Sequence, residues 1–142
     1  MKKAFTLVAL VLVVALAFTA CSPAPRDFTQ DDIKVIEALY TLTNEAGQKG
    51  LMKTSEDKLS ATLQGGTYTS ASGEKLYSAS MRTSGMNPPG WTEYKISGTV
   101  DGVKYDFEMK VSVGADYGST LDYCKLNGTS LNIDLTDIPG WV

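Results

Sequence analysis

Glu93-Tyr94-Lys95-Ile96-Ser97-Gly98-Thr99-Val100-Asp101-Gly102-Val103-Lys104-Tyr105-Asp106-Phe107-Glu108-Met109-Lys110 decides the fold. Asp101-Gly102 suits a two-residue type I′ turn, because both central residues of that turn need positive φ. With that turn, Tyr94 falls opposite Met109, Ile96 opposite Phe107, Gly98 opposite Tyr105 and Val100 opposite Val103. The other face sets Glu93 against Lys110 and Lys95 against Glu108. Apolar meets apolar and acid meets base, each good pair contributing about 0.2–1 kcal/mol. The stretch predicts an antiparallel hairpin with one buried face.

Period-two alternation continues on both sides. Upstream, Leu59, Ala61 and Leu63 alternate. Gly65-Gly66 breaks the run, and Tyr77, Ala79 and Met81 alternate after a turn at Ser72-Gly73. Downstream, Asn127-Gly128 marks a second hairpin. A two-residue loop there sets Leu121 opposite Asp134 and mixes the faces. A three-residue loop, Leu126-Asn127-Gly128 with a bulge at Gly128, sets Tyr123 opposite Leu131 and Leu121 opposite Ile133. The bulged loop is the expected one; it puts Cys124 on the more polar face. Pro89-Gly90-Trp91 recurs as Pro139-Gly140-Trp141, a shared turn or the trace of a repeat.

A helix precedes the strands. Thr29 is a candidate N-cap, with Asp32 three residues on to complete a capping box, and Phe28 and Ile33 form a hydrophobic staple. Ile33, Ile36, Leu39, Tyr40, Thr43 and Ala46 recur at helical spacing. Gly47 or Gly50 ends the helix, which is expected over 30–47. The fold class is therefore α+β: an N-terminal amphipathic helix on an antiparallel, mostly meander sheet of about six to seven strands. A small barrel or sandwich is the alternative. Neither apolar surface can stay bare, so the helix stripe is expected to pack on the Tyr94–Met109 face. Gly98 leaves a dip there for a helix residue or Tyr105.

The first residues carry an address. Met1-Lys2-Lys3 is basic, residues 4–18 are uncharged and mostly apolar, and small Thr19 and Ala20 precede Cys21. The run is short for a membrane span of about 20 residues and has the order of a secretory signal peptide. Phe18-Thr19-Ala20-Cys21 resembles the lipobox of bacterial lipoproteins, with Phe18 where that family usually has Leu. The resemblance covers residues 1–21 only. It implies cleavage before Cys21, a diacylglyceride on its sulfur, and a place in the cell envelope, anchored to a bacterial membrane. A plain secreted protein cut after Ala17, or an uncleaved anchor, are the other readings of the segment. The organisation is then signal peptide 1–20, lipidated Cys and Pro-containing tether 21–27, and one α+β domain 28–142.

Composition narrows the function. The chain has 142 residues and no histidine, which removes Ser-His-Asp and Cys-His nucleophile pairs and His-ligated metals. Loss of residues 1–20 leaves 11 basic and 16 acidic residues, a net charge of −5. With no basic cluster, nucleic acid is a poor partner. No zinc, calcium or phosphate-loop spacing occurs, so no metal or cofactor is expected. Ser55-Glu56-Asp57-Lys58 has Ser-x-x-Lys spacing without the companion segments of such a site.

The expected function is a membrane-tethered, non-enzymatic binding or scaffold module, with the membrane and an envelope protein as partners. The alternative is a carrier of a small apolar ligand between helix and sheet, lined by Tyr40, Tyr94, Tyr105 and Phe107. Trp91 and Trp141, each on a Pro-Gly corner, are the candidate binding aromatics. They can present a flat face to a sugar or partner, or fold inward to close the core.

Overall fold

The computed structural model describes residues 24–85 and 87–138. The signal segment, Cys21 and Trp141 lie outside them. The described chain is mixed α+β: one helix on a large, mostly antiparallel sheet. In chain order the elements are β1 (Arg26–Asp27), α1 (Gln30–Gln48), β2 (Met52–Thr54), β3 (Ser60–Leu63), β4 (Tyr68–Thr69), β5 (Lys75–Thr83), β6 (Gly90–Val100), β7 (Val103–Val113), β8 (Ser119–Leu126) and β9 (Thr129–Asn132). A 3-10 turn at Leu135–Asp137 follows.

The sheet runs β1-β9-β8-β7-β6-β5-β3-β2, with β4 also paired to β5. Strands β5 to β9 are the expected meander. Two expectations are corrected. The sheet has nine strands, not six or seven, and α1 is not the first element, because β1 precedes it. The extra strands are two or three residues long, too short to leave a periodic signal. Arg26 and Asp27, read as the end of the tether, pair in parallel with Leu131 and Asn132 at the sheet edge.

The β6–β7 hairpin has the expected register throughout. Tyr94 faces Met109, Ile96 faces Phe107, Gly98 faces Tyr105 and Val100 faces Val103. Asp101 and Gly102 have φ of 53° and 78°, as a type I′ turn requires. Inward residues Ile96, Phe107, Met109 and Val111 are buried. The outward side chains are largely polar, which is why the alternation is legible.

The second hairpin overturns the expected loop. Lys125 pairs with Ser130 and Leu126 with Thr129, so the loop is the two-residue Asn127-Gly128, with φ of 52° and 79°. Asn127 is pinned to β7: its amide donates to the Asp106 carbonyl and its side-chain oxygen accepts from the Asp106 amide, both at 2.8 Å. The irregularity sits instead between β7 and β8. Lys110 pairs with Tyr123 and Val111 with Leu121, leaving Asp122 as the extra residue. That bulge restores the faces which an unbroken two-residue register mixes. The placement of Cys124 is corrected too: the two-residue loop register turns it to face Met109, buried in the core.

A bulge changes β5 as well. Leu76 pairs with Gly98 and Ser78 with Ser97, so Tyr77 is extra. Leu76, not Tyr77, joins Ala79 in the core.

Helix α1 starts as its sequence indicates. The Thr29 hydroxyl accepts from the Asp32 amide at 3.2 Å, and the Asp32 carboxylate accepts from the Thr29 amide at 2.7 Å. It ends in a Schellman motif: Leu51 N donates to the Ala46 carbonyl, Gly50 N donates to Gly47, and Gly50 has φ of 74°. The buried positions are Asp32, Val35, Ile36, Leu39, Leu42 and Ala46. The stripe is thus rotated toward Val35 and Leu42, leaving Ile33 and Tyr40 half-buried. Helix residues fill the dip at Gly98. A Cβ there would stand 3.2 Å from Leu39 Cδ2 and 3.6 Å from Leu42 Cδ1.

Candidate functional site

The rotation of α1 leaves one flank of the helix off the sheet. Tyr40, Thr43, Asn44, Gly47 and Gln48 form one wall of a groove of about 870 Å³. Its floor and far wall are Met52, Ala61, Ser80, Met81, Tyr94 and Ile96, from β2, β3, β5 and β6. The cause is local. Strands β2 and β3 extend the sheet beyond the width one helix covers, so the inward residues Ala61 and Met81, which pair with each other, lie past its edge. Met81 is 39% exposed for that reason.

Tyr40 stands between filled core and groove. Its ring meets Tyr94 edge-on at 6.3 Å and Phe107 at 5.8 Å. Its hydroxyl donates to Met109 Sδ at 3.9 Å. Burial raises the Tyr94 phenol above its ordinary pKa, so that tyrosine meets the groove as a neutral group. The lining carries thioether, aromatic, hydroxyl and amide groups, and no carboxylate, amine or thiol. Such a surface offers dispersion and neutral hydrogen bonds, the requirements of an apolar or weakly polar ligand.

The four aromatics grouped in the sequence divide here. Tyr40 and Tyr94 line the groove. Phe107 is buried in the core, and Tyr105 packs against that core. Sequence reasoning missed Met52, Ala61, Met81 and Ile96 as a set. Ala61 and Met81 lay in alternating runs, but nothing local indicated that β3 pairs with β5.

Trp91 lies elsewhere. It pairs with Ser112, beside inward Val111, so it belongs to the face opposite α1. It is half-buried and is not in the core cluster. Its amide donates to Ser84 Oγ at 2.8 Å, and Lys110 Nζ lies 5.3 Å from its ring centroid. Trp91 lines a second groove of about 690 Å³ with Ser84, Ser112, Asp116, Thr120 and Asp122. The same face carries Tyr123, whose hydroxyl donates to Glu93 at 3.0 Å. Burial, that hydrogen bond and neighbouring carboxylates push its pKa up to about 12.

Cys124 is the one described cysteine. Burial, aided by the negative charge of Asp32, pushes its thiol up to about 11, the opposite of what a nucleophile needs. Among the described residues no three acidic or cysteine side chains converge as a metal site, and no helix is long and apolar enough to cross a membrane. Comparison of the chain with protein-family models, with curated proteins and with solved structures finds no match.

Proposed function

We propose that this protein is a membrane-tethered, extracytoplasmic lipoprotein, non-enzymatic, whose domain holds a small apolar ligand between α1 and the sheet. The observation that carries the reading is the groove itself. At about 870 Å³ it falls within the range of small-molecule sites, about 300–1,000 Å³. Its apolar floor and uncharged polar wall suit a single-chain amphiphile with a neutral head. The tether reading rests on Phe18-Thr19-Ala20-Cys21. Two or more acyl chains at about 0.8 kcal/mol per buried methylene make a stable anchor.

The scaffold reading keeps one observation in its favour: Leu39 and Leu42 close directly over Gly98, so the helix–sheet interface is filled at that point. In that reading the groove is a surface for an envelope protein.

Native mass spectrometry of the full chain, extracted in detergent-free lipid–polymer discs, separates the two. A carrier retains a discrete apolar ligand, and Ala61→Trp, which fills the floor, loses it without a change in melting temperature. No ligand in either form, or equal retention in both, favours the scaffold. The anchor is tested by itself: labelled palmitate is expected to enter the wild type and not Cys21→Ala, and equal labelling rejects it.

A further inference from the structure

We infer that the Trp91 groove, on the sheet face opposite α1, is a binding site for a neutral saccharide. Three features of this end of the sheet converge on that chemistry.

The first is the row of side chains. Trp91 faces Ser112 across β6–β7, and Ser112 faces Thr120 across β7–β8. The bulge that leaves Asp122 unpaired turns its carboxylate onto the same face, where it accepts from the Ser112 hydroxyl. An indole is thus followed by hydroxyls and a carboxylate, held on strands rather than on mobile loops. A pyranose has an apolar C–H face and a rim of hydroxyls. The indole stacks on the first, and charged acceptors take the second with stronger bonds than neutral ones make.

The second is the turn between β7 and β8. Asp116 Oδ1 accepts from the Gly118 amide at 3.0 Å. A Cβ at Gly114 would stand 2.9 Å from that oxygen, and one at Gly118 would stand 3.2 Å from it. The two glycines make room for a carboxylate at the rim of the groove. Tyr117, between two residues that line it, is 75% exposed with φ of 68°. A tyrosine in the left-handed region is uncommon, and here it exposes an aromatic ring on the turn that supplies Asp116 and Gly118 to the groove.

The third is charge. Asp116 and Asp122 both line the groove, and Lys110, which lies over the Trp91 ring, does not. The two carboxylates outnumber that one cation, so phosphorylated, sulfated or uronic sugars meet net repulsion there, whereas neutral ones meet acceptors.

This inference is independent of the apolar-ligand reading, since the two grooves share no residue. The test uses the full chain in a polyoxyethylene detergent, which has no sugar headgroup. The probes are neutral oligosaccharides of glucose, galactose, mannose and N-acetylglucosamine, with their sulfated and uronic counterparts. Binding is read from the Trp91 indole N–H resonance, assigned with Trp91→Phe, and by calorimetry. At least one neutral oligosaccharide is expected to shift that resonance saturably and to bind more tightly than its charged counterpart. Trp91→Ala is expected to weaken binding by about tenfold or more, the loss that truncating an aromatic anchor brings. Asp116→Asn keeps an acceptor for the Gly118 amide, so it is expected to weaken binding while the melting temperature holds. Ala61→Trp, on the other face, is expected to change nothing. Silence across the neutral panel overturns the inference. So does a preference for the charged sugars, or undiminished binding by Trp91→Ala.

Discussion

Cys124 shows how position sets the chemistry of a residue. Its sequence neighbours, Tyr123 and Lys125, are half-exposed, and a thiol between them would be reactive on the polar face. The two-residue Asn127-Gly128 loop sets the β8 register that turns it inward against Met109. Burial then raises its pKa to about 11, so almost no thiolate exists at neutral pH. Iodoacetamide is expected to leave Cys124 unmodified in the native protein and to label it only in denaturant. Peptide mapping after each treatment checks this, and native labelling would put the thiol outside the core. Tyr40 and Tyr94 make the complementary point. Both were legible as candidates because an aromatic on an apolar stripe must be buried or bind something. Which of the two they do depends on how much sheet lies beyond the helix.

At the scale of elements, α1 sits directly on β6 at Gly98. Gly98 faces Tyr105 and Leu76 on its two neighbouring strands, beneath Leu39 and Leu42. A methyl at Gly98 would lie 2.8 Å from the Lys75 carbonyl and 3.2 Å from Leu39 Cδ2. The carbonyl belongs to a paired strand and cannot easily yield. Gly98→Ala is therefore expected to destabilise by about 1–3 kcal/mol, the usual cost of overpacking. Ile36→Ala, at a fully buried position of the same helix, is expected to cost about 2–5 kcal/mol through the cavity it leaves. Chemical denaturation of the two variants measures both. If Gly98→Ala is neutral, the helix does not sit as closely on β6 as the geometry says. Direct packing here and an open groove at β2–β3 are compatible, because one helix is narrower than nine strands.

At the scale of the molecule, one ion pair joins three separate parts. Arg26 lies in β1, which pairs with β9 at the sheet edge. Its guanidinium donates to both oxygens of Asp32, at 2.7 and 2.8 Å, and Asp32 closes the capping box of α1. The Arg26 guanidinium, with added help from the Thr29 donors, holds the Asp32 carboxyl below its ordinary 3.8. A carboxyl depressed in the folded state stabilises fully above its unfolded value and ceases to as the pH falls through the folded one. The melting temperature is expected to drop as the pH is taken below about 4, and less steeply in Asp32→Asn. Arg26 is largely exposed at 43%, so solvent screening limits the pair. Asp32→Asn is expected to cost about 1–3 kcal/mol at neutral pH. Equal acid slopes in the two proteins would show that other carboxylates govern the transition.

The sequence by itself determined the features that depend on near neighbours. Asp101-Gly102 and the matched pairs around it specify the β6–β7 register, since a two-residue turn admits one alignment. Thr29 and Asp32 specify the start of α1, because a cap satisfies backbone groups within one turn, and its end is narrowed to Gly47 or Gly50. Long-range geometry decided the rest. The alternation in β8 and β9 alone favours the three-residue loop; only β7 supplies the partners, Asp106 for Asn127 and Met109 for Cys124, that go with the two-residue loop and the bulge at Asp122. Strands as short as β1 and β4 have no periodicity, and they exist because a neighbouring edge has unpaired backbone groups to satisfy. Both grooves are of this kind. Each draws residues from strands distant in sequence, so each came into being only when the sheet closed its order from β1 to β2.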